Sequence, residues 1–198
     1  MNTTRTKFID EGLYFISSYV ERSTFEGGNH DGSKHRLLKH LAALREGKNH
    51  GSINALTKLV RETQSPAAYL ALAGAQLCAR AFDSAIITLD VLLYQQPELP
   101  EAELMKGIVH LEAGDPAEAR ALIHKAVESK PMLWSGWKLL IELALQRGDR
   151  ADAQQLISEA LWHDPRRTDL PGLPITPEPR PTHHRHHIHT PFHAEVPA

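Results

Sequence analysis

The chain has 198 residues, a formal net charge of -2 and 41% hydrophobic residues with only 6% aromatics, which leaves room for one ordinary domain or a short repeat array and for no second large core. A single cysteine, Cys78, excludes an internal disulfide framework and a paired-cysteine metal or redox site. The charge is uneven: residues 66–165 carry 8 Lys and Arg against 14 Asp and Glu, and an acidic middle argues against a nucleic-acid partner, which needs a basic surface.

Residues 5–22 predict a helix with Phe8, Ile9, Leu13, Ile16, Tyr19 and Val20 on or near one face. It is not read as a secretory signal, because Asp10 and Glu11 interrupt the apolar stretch and no small-residue cleavage site succeeds it. The stretch "EGGNHDGS", residues 26–33, reads as a flexible linker. Residues 1–25 are therefore expected to form an arm that swings, dimerises or packs back on the remainder of the chain. Next, "KHRLLKHLAALREG" and "SINALTKLVRET" predict a helix pair across 34–65, split at "KNHG". Its closing distance is off register, since Gly47 to Pro66 is two residues longer than Gly114 to Pro131.

From residue 66 a period of 34 takes over. Pro97, Pro131 and Pro165 stand at that interval, as do Ala85, Ala119 and Ala153, then Leu89, Ile123 and Ile157, then Leu92, Ala126 and Ala160. The units are 66–99, 100–133 and 134–167. In the middle one Ala119, Leu122, Ile123, Ala126 and Val127 recur at the spacing of a single helix face. Gly114 and Gly148 sit where a first helix stops in a left-handed cap. "DPAE" from Asp115 to Glu118 then supplies an N-cap acid, a proline at the first helical position and a glutamate. Each unit is predicted to be helix, tight turn, helix.

On these columns residues 66–167 resemble the tetratricopeptide repeat. The second-helix half matches well; the first-helix half is degenerate, with Tyr69 and Trp137 in place but Glu103 where a large residue belongs, and Gly107 as the single matching glycine. The resemblance implies an all-α fold, a right-handed superhelix of stacked helix-turn-helix repeats with a concave groove lined by the first helices. It also implies which residues face the groove where a partner would bind: Leu70, Gly74, Leu77 and Cys78 in the first unit, Leu104, Ile108, Leu111 and Glu112 in the second, Lys138, Glu142, Leu145 and Gln146 in the third. The family's Lys and Asn clamp for a chaperone's terminal carboxylate is not expected, because residues 66–165 contain no Asn. An apolar groove with acidic flanks suits an apolar or amphipathic segment of another protein. That points to an adaptor or chaperone; bacterial type III secretion chaperones with three such repeats are similar in size and groove character.

Stacked repeats need a cap on the last apolar face, and "PRRTDLPGLPITPEPRP" after His163 and Asp164 cannot propagate a helix. Either Leu170, Leu173 and Ile175 fold back over Leu161 and Trp162, or a second subunit covers them as a homodimer. The tail, 168–198, is expected to be disordered. Its His183, His184, His186, His187 and His189 can bind Ni, Zn or Cu loosely, and a metal-binding accessory role through them is the alternative reading. No resident cofactor is expected. No metalloprotease, phosphate-loop or nucleophile-elbow motif is present, so the chain is not read as an enzyme. The absence of a run of about 18 apolar residues argues against a membrane span, and cytoplasmic residence is the default expectation.

Overall fold

A computed structural model describes residues 6–23, 30–48, 51–167 and 169–171. Among these residues the chain is all helix and turn. The elements are α1 (Lys7–Arg22), α2 (His30–Arg45), α3 (Ser52–Thr63), α4 (Pro66–Cys78), α5 (Phe82–Gln95), α6 (Pro100–Ala113), α7 (Pro116–Ser129), α8 (Trp134–Gln146) and α9 (Arg150–His163).

Local chemistry sets the helix ends. Ser65 caps α4 by accepting from the Ala68 amide, and Pro66 opens that helix. Asp115 does the same for α7 through the Glu118 amide, with Pro116 at the first helical position. A side-chain oxygen here satisfies an amide that the helix itself leaves without a partner. At the other ends, Gly114 and Gly148 turn the chain at φ +90° and +75°, a region that costs a residue with a Cβ about 1–2 kcal/mol. Arg80 holds the corresponding place in the first unit at φ +58° and stacks its guanidinium 5.0 Å from the Phe82 ring.

From α2 to α9 each helix packs on the next, so the pairs α4–α5, α6–α7 and α8–α9 form a continuous all-α solenoid with α2–α3 in front. Its core is made by the repeating columns. Ala85, Ala119 and Ala153 are fully buried, as are Leu89, Ile123, Leu92, Ala126 and Ala160. Small residues let the helices approach: a Cβ on Gly107 would lie 2.6 Å from Ile123 Cγ1 and 3.1 Å from the Ala119 carbonyl oxygen. Gly136 serves the next junction, where a Cβ would lie 2.5 Å from Val127 Cγ1 and 3.6 Å from Leu104 Cδ1.

Glu103, which stands in the column of Tyr69 and Trp137, is buried and accepts from Lys125 at 2.7 Å; two residues earlier, buried Glu101 pairs with Lys130 at 2.5 Å. The lysine stems carry their charges outward, so the carboxylates stay paired at the α6–α7 junction.

Three features differ from the sequence expectation. Helix α2 starts at His30, inside the stretch read as a linker. Trp162 stays 64% exposed, and the described tail residues do not lie over it. Instead it turns back along α8: Arg167 stacks 4.4 Å over Trp134, Asp169 pairs with Lys138 at 2.9 Å, and Leu170 is buried. Leu170 falls in the column of Ala68, Ala102 and Gly136. There a large side chain followed by Pro171 stands where the repeats have a small residue. Leu173, Ile175 and the histidine-rich stretch lie outside the described residues.

Candidate protein-binding groove

The first helices α4, α6 and α8 form one side of the solenoid, where the sequence places an open groove. In the structure that groove already holds a helix, α1, whose contacts run across α2, α4 and α6 rather than along one neighbouring pair. Its amphipathic face explains why. Ile9, Leu13, Ile16 and Val20 recur at helical spacing and are essentially fully buried, with Phe15 beside them. Burying four aliphatic side chains of this size gives roughly 6–12 kcal/mol of gross stabilisation, an upper bound.

The direction of α1 is set by its contacts. At its N-terminal end Thr6 donates to Glu112 near the end of α6, and Lys7 pairs with Glu142 on α8 at 2.8 Å. In the middle, a Cβ on Gly12 would lie 3.4 Å from Ile108 Cγ2 and 3.8 Å from Met105 Sδ. At its C-terminal end Tyr19, Arg22 and Ser23 border a cavity with Ser65, Pro66 and Glu101, at the starts of α4 and α6. Helix α1 therefore lies in the trough between α4 and α6, antiparallel to both. The partly buried Tyr19 phenol is held above its ordinary pKa by loss of solvent, then by the nearby Glu101 carboxylate, with a hydrogen bond to Ser23 acting the other way.

One repeat position makes the groove floor. Gly74, Ile108 and Glu142 are 34 residues apart. They meet Ile16 and Leu13, then Gly12, then Lys7 in turn.

The residues expected to bind a partner divide accordingly. Leu70, Leu77, Leu104 and Ile108 are fully buried, which corrects the expectation of an apolar groove open to solvent. The reasons differ. Ile108 meets α1, whereas Leu104 faces Gly136 at the junction with the next unit, and Leu70 and Leu77 lie a turn on either side of Gly74 on α4. Cys78, Leu111, Glu112, Lys138, Glu142 and Leu145 are half-buried; of these Glu112 and Glu142 meet the N-terminal end of α1, and Lys138 pairs with Asp169. Gly74 was expected to face the groove and does so against Ile16 and Leu13; sequence reasoning missed Gly12 on the α1 side, where the signal available was a glycine in mid-helix, which lowers helix propensity without a turn to explain it.

Outside the groove the described histidines make local contacts. His110 lies 3.7 Å from Asp115, His124 lies 3.2 Å from Glu128, and His163 packs edge-on against Trp162. Among the described residues no three His, Cys, Asp or Glu side chains are grouped to hold a metal ion, and no helix is long and apolar enough to cross a membrane. His183, His184, His186, His187 and His189 lie outside the described residues.

Comparison with known proteins agrees with this architecture. The solved structures similar to the chain include a TPR protein, TTC0263, from Thermus thermophilus, with 17% identity and a TM-score of 0.60 over 80% of this chain and 84% of that one. They also include MamA, with 19% identity and a TM-score of 0.53 over 78% and 87%. A third is MamA, residue 41 to the end, from Desulfovibrio magneticus RS-1, with 13% identity and a TM-score of 0.53 over 78% and 84%. At these identities the likeness is one of fold. No curated protein sequence matches the chain. The family model "Tetratricopeptide repeat" matches residues 37–100 and 104–169, well over half of the sequence, and with helix pairs stacked at its characteristic period the chain belongs to the tetratricopeptide repeat family.

Proposed function

We propose that this protein is a protein-binding adaptor that holds an apolar or amphipathic helical segment of a partner against the concave side of its repeats, in the manner of a chaperone covering a surface that water disfavours. The observation that carries this reading is the trough itself: the repeat column Gly74, Ile108 and Glu142 contacts a helix at three successive points. A surface that orders a helix by its apolar face is a helix-in-groove receptor. Acidic side chains at the far end, Glu112 and Glu142, add charge selectivity for a cationic helix terminus.

Site-specific photo-crosslinking tests this. A photoreactive phenylalanine analogue replaces Leu111 or Leu145, half-buried residues that the family resemblance assigns to the groove, or Val91 or Tyr94 on the exposed side of α5. Adducts with one defined protein in the native cell are expected from the groove positions. Adducts obtained only from Val91 and Tyr94 would move the binding surface to the convex side and reject the reading.

A further inference from the structure

We propose that α1 is a ligand held in cis, and that the partner's segment is a single amphipathic helix of the same pattern and direction, which binds by displacing α1. This rests on the adaptor reading above and adds to it the partner's chemistry and a built-in competitor.

Three observations lead there. Helices α2 to α9 each pack on the next, and α1 packs on α2 in the same way, but its contacts do not stop there: they continue across α4 and α6, the first helices of the following pairs. Its contacts are read by the repeat, because one position recurring every 34 residues touches Ile16, Gly12 and Lys7 in order. An added helix belonging to the solenoid would pack along one neighbour; a bound helix is read turn by turn across several repeats. Finally, α1 carries a glycine at its centre, which costs a helix about 1 kcal/mol relative to alanine. A Cβ there would already be in van der Waals contact with Ile108 at 3.4 Å and Met105 at 3.8 Å, so the trough has room for a small residue at this point and none for a long side chain.

The pattern defines the competitor. It has a small residue at the central contact, aliphatic residues one, four and eight positions after it as in Leu13, Ile16 and Val20, and a cation near its N-terminus to meet Glu142. Residues 23–29 join α1 to α2. So short a tether gives the cis helix an effective concentration in the millimolar range, and a free helix of equal intrinsic affinity binds about 10²–10⁴-fold more weakly than to an empty trough.

The test uses the full chain and a fluorescein-labelled peptide of residues 6–23, tracked by anisotropy. Leu13→Asp with Ile16→Asp in the protein removes the cis helix from the trough. The peptide is expected to bind this variant at least tenfold more tightly than the wild-type chain, and a Gly12→Leu peptide is expected to lose that binding. Equal or absent binding to a variant that keeps its circular dichroism overturns the proposal. Should the variant lose its fold, native-state hydrogen exchange of the wild type decides. Amides of α1 at least tenfold less protected than those of α4 and α6 support displacement, and equal protection makes α1 a fixed part of the core. Dimers that exchange α1 between copies also overturn it. Crosslinking at Leu145 without peptide binding removes this inference and leaves the adaptor reading standing, whereas peptide binding without groove adducts overturns the adaptor reading and with it the displacing partner.

Discussion

Ile16 on α1 occupies the space that Gly74 on α4 leaves empty: a Cβ on Gly74 would lie 2.8 Å from Ile16 Cδ1 and 3.3 Å from Leu13 Cδ2. Each residue therefore limits the size of the other, although they are far apart in sequence. Through this pair the N-terminal helix and the first repeat become one packing unit.

The pair makes a quantitative cycle. Gly74→Ala adds a methyl group where the end of the Ile16 side chain already sits, and the overlap is expected to cancel most of the gain of about 1 kcal/mol in helix propensity. Ile16→Val removes the Cδ1 and is expected to cost about 0.5–1.5 kcal/mol alone. Together they should be milder than their sum by at least about 0.5 kcal/mol, a coupling that residues in contact show. Urea melts of the four proteins measure it, and simple additivity would show that the two side chains do not meet.

A second prediction concerns the buried carboxylates under α6. Glu101 is only 4% exposed and relies on Lys130 at 2.5 Å, while the Lys130 side chain is half exposed. Lys130→Ala leaves the carboxylate without its donor and is expected to destabilise by about 1–3 kcal/mol. Adding Glu101→Gln should recover part of that loss, because the orphaned charge is then gone. Thermal or urea unfolding reads both variants; no recovery in the double variant would place the cost elsewhere.

The three turns between paired helices test backbone strain. Arg80 takes φ +58° where the later repeats have Gly114 and Gly148. Relieving the left-handed strain gains about 1–2 kcal/mol, while losing the stack on Phe82 costs about 0.5–1 kcal/mol. Arg80→Gly is thus expected to raise stability slightly, and Gly114→Arg to lower it by about 1–2 kcal/mol. Opposite signs in paired unfolding experiments are the expected result; a loss in both would mean that the Phe82 contact dominates.

Alkaline pH should loosen α1. Tyr19 has its phenol pKa raised by burial and by Glu101, so the folded state keeps the proton after the unfolded state has released it. With more protons bound in the folded state, stability falls as pH rises. The contribution is fully present below the ordinary value of 10.0 and is lost between there and the higher folded value. Melting temperatures from about pH 9 to 11.5, a range that brackets phenol ionisation, should fall more steeply for the wild type than for Tyr19→Phe. Parallel slopes would remove Tyr19 from this role.

How much of the molecule was readable before folding differs by element. The repeat was legible because every unit solves the same packing problem: Ala119 must be small and Ile123 apolar wherever a first helix crosses a second, so the columns recur with the structure. The caps were legible because Gly114 and Asp115 satisfy local backbone demands that neighbours in sequence impose. Arg80 was not, since nothing local announces a non-glycine residue in that conformation.

The groove marks the boundary between the two kinds of knowledge. Residue order alone was enough to show that α1 has an apolar stripe in need of cover and that paired helices recur every 34 residues from Pro66, and the family resemblance added the expectation that the first helices line a groove. Which surfaces meet emerged in three dimensions, where Leu13 and Ile16 settle over Gly74 and Lys7 reaches Glu142. Periodicity fixes which side of a helix turns away from water, because that depends on residues a turn apart; it carries no information about the partner surface, which is set by shape and charge brought together from distant parts of the chain.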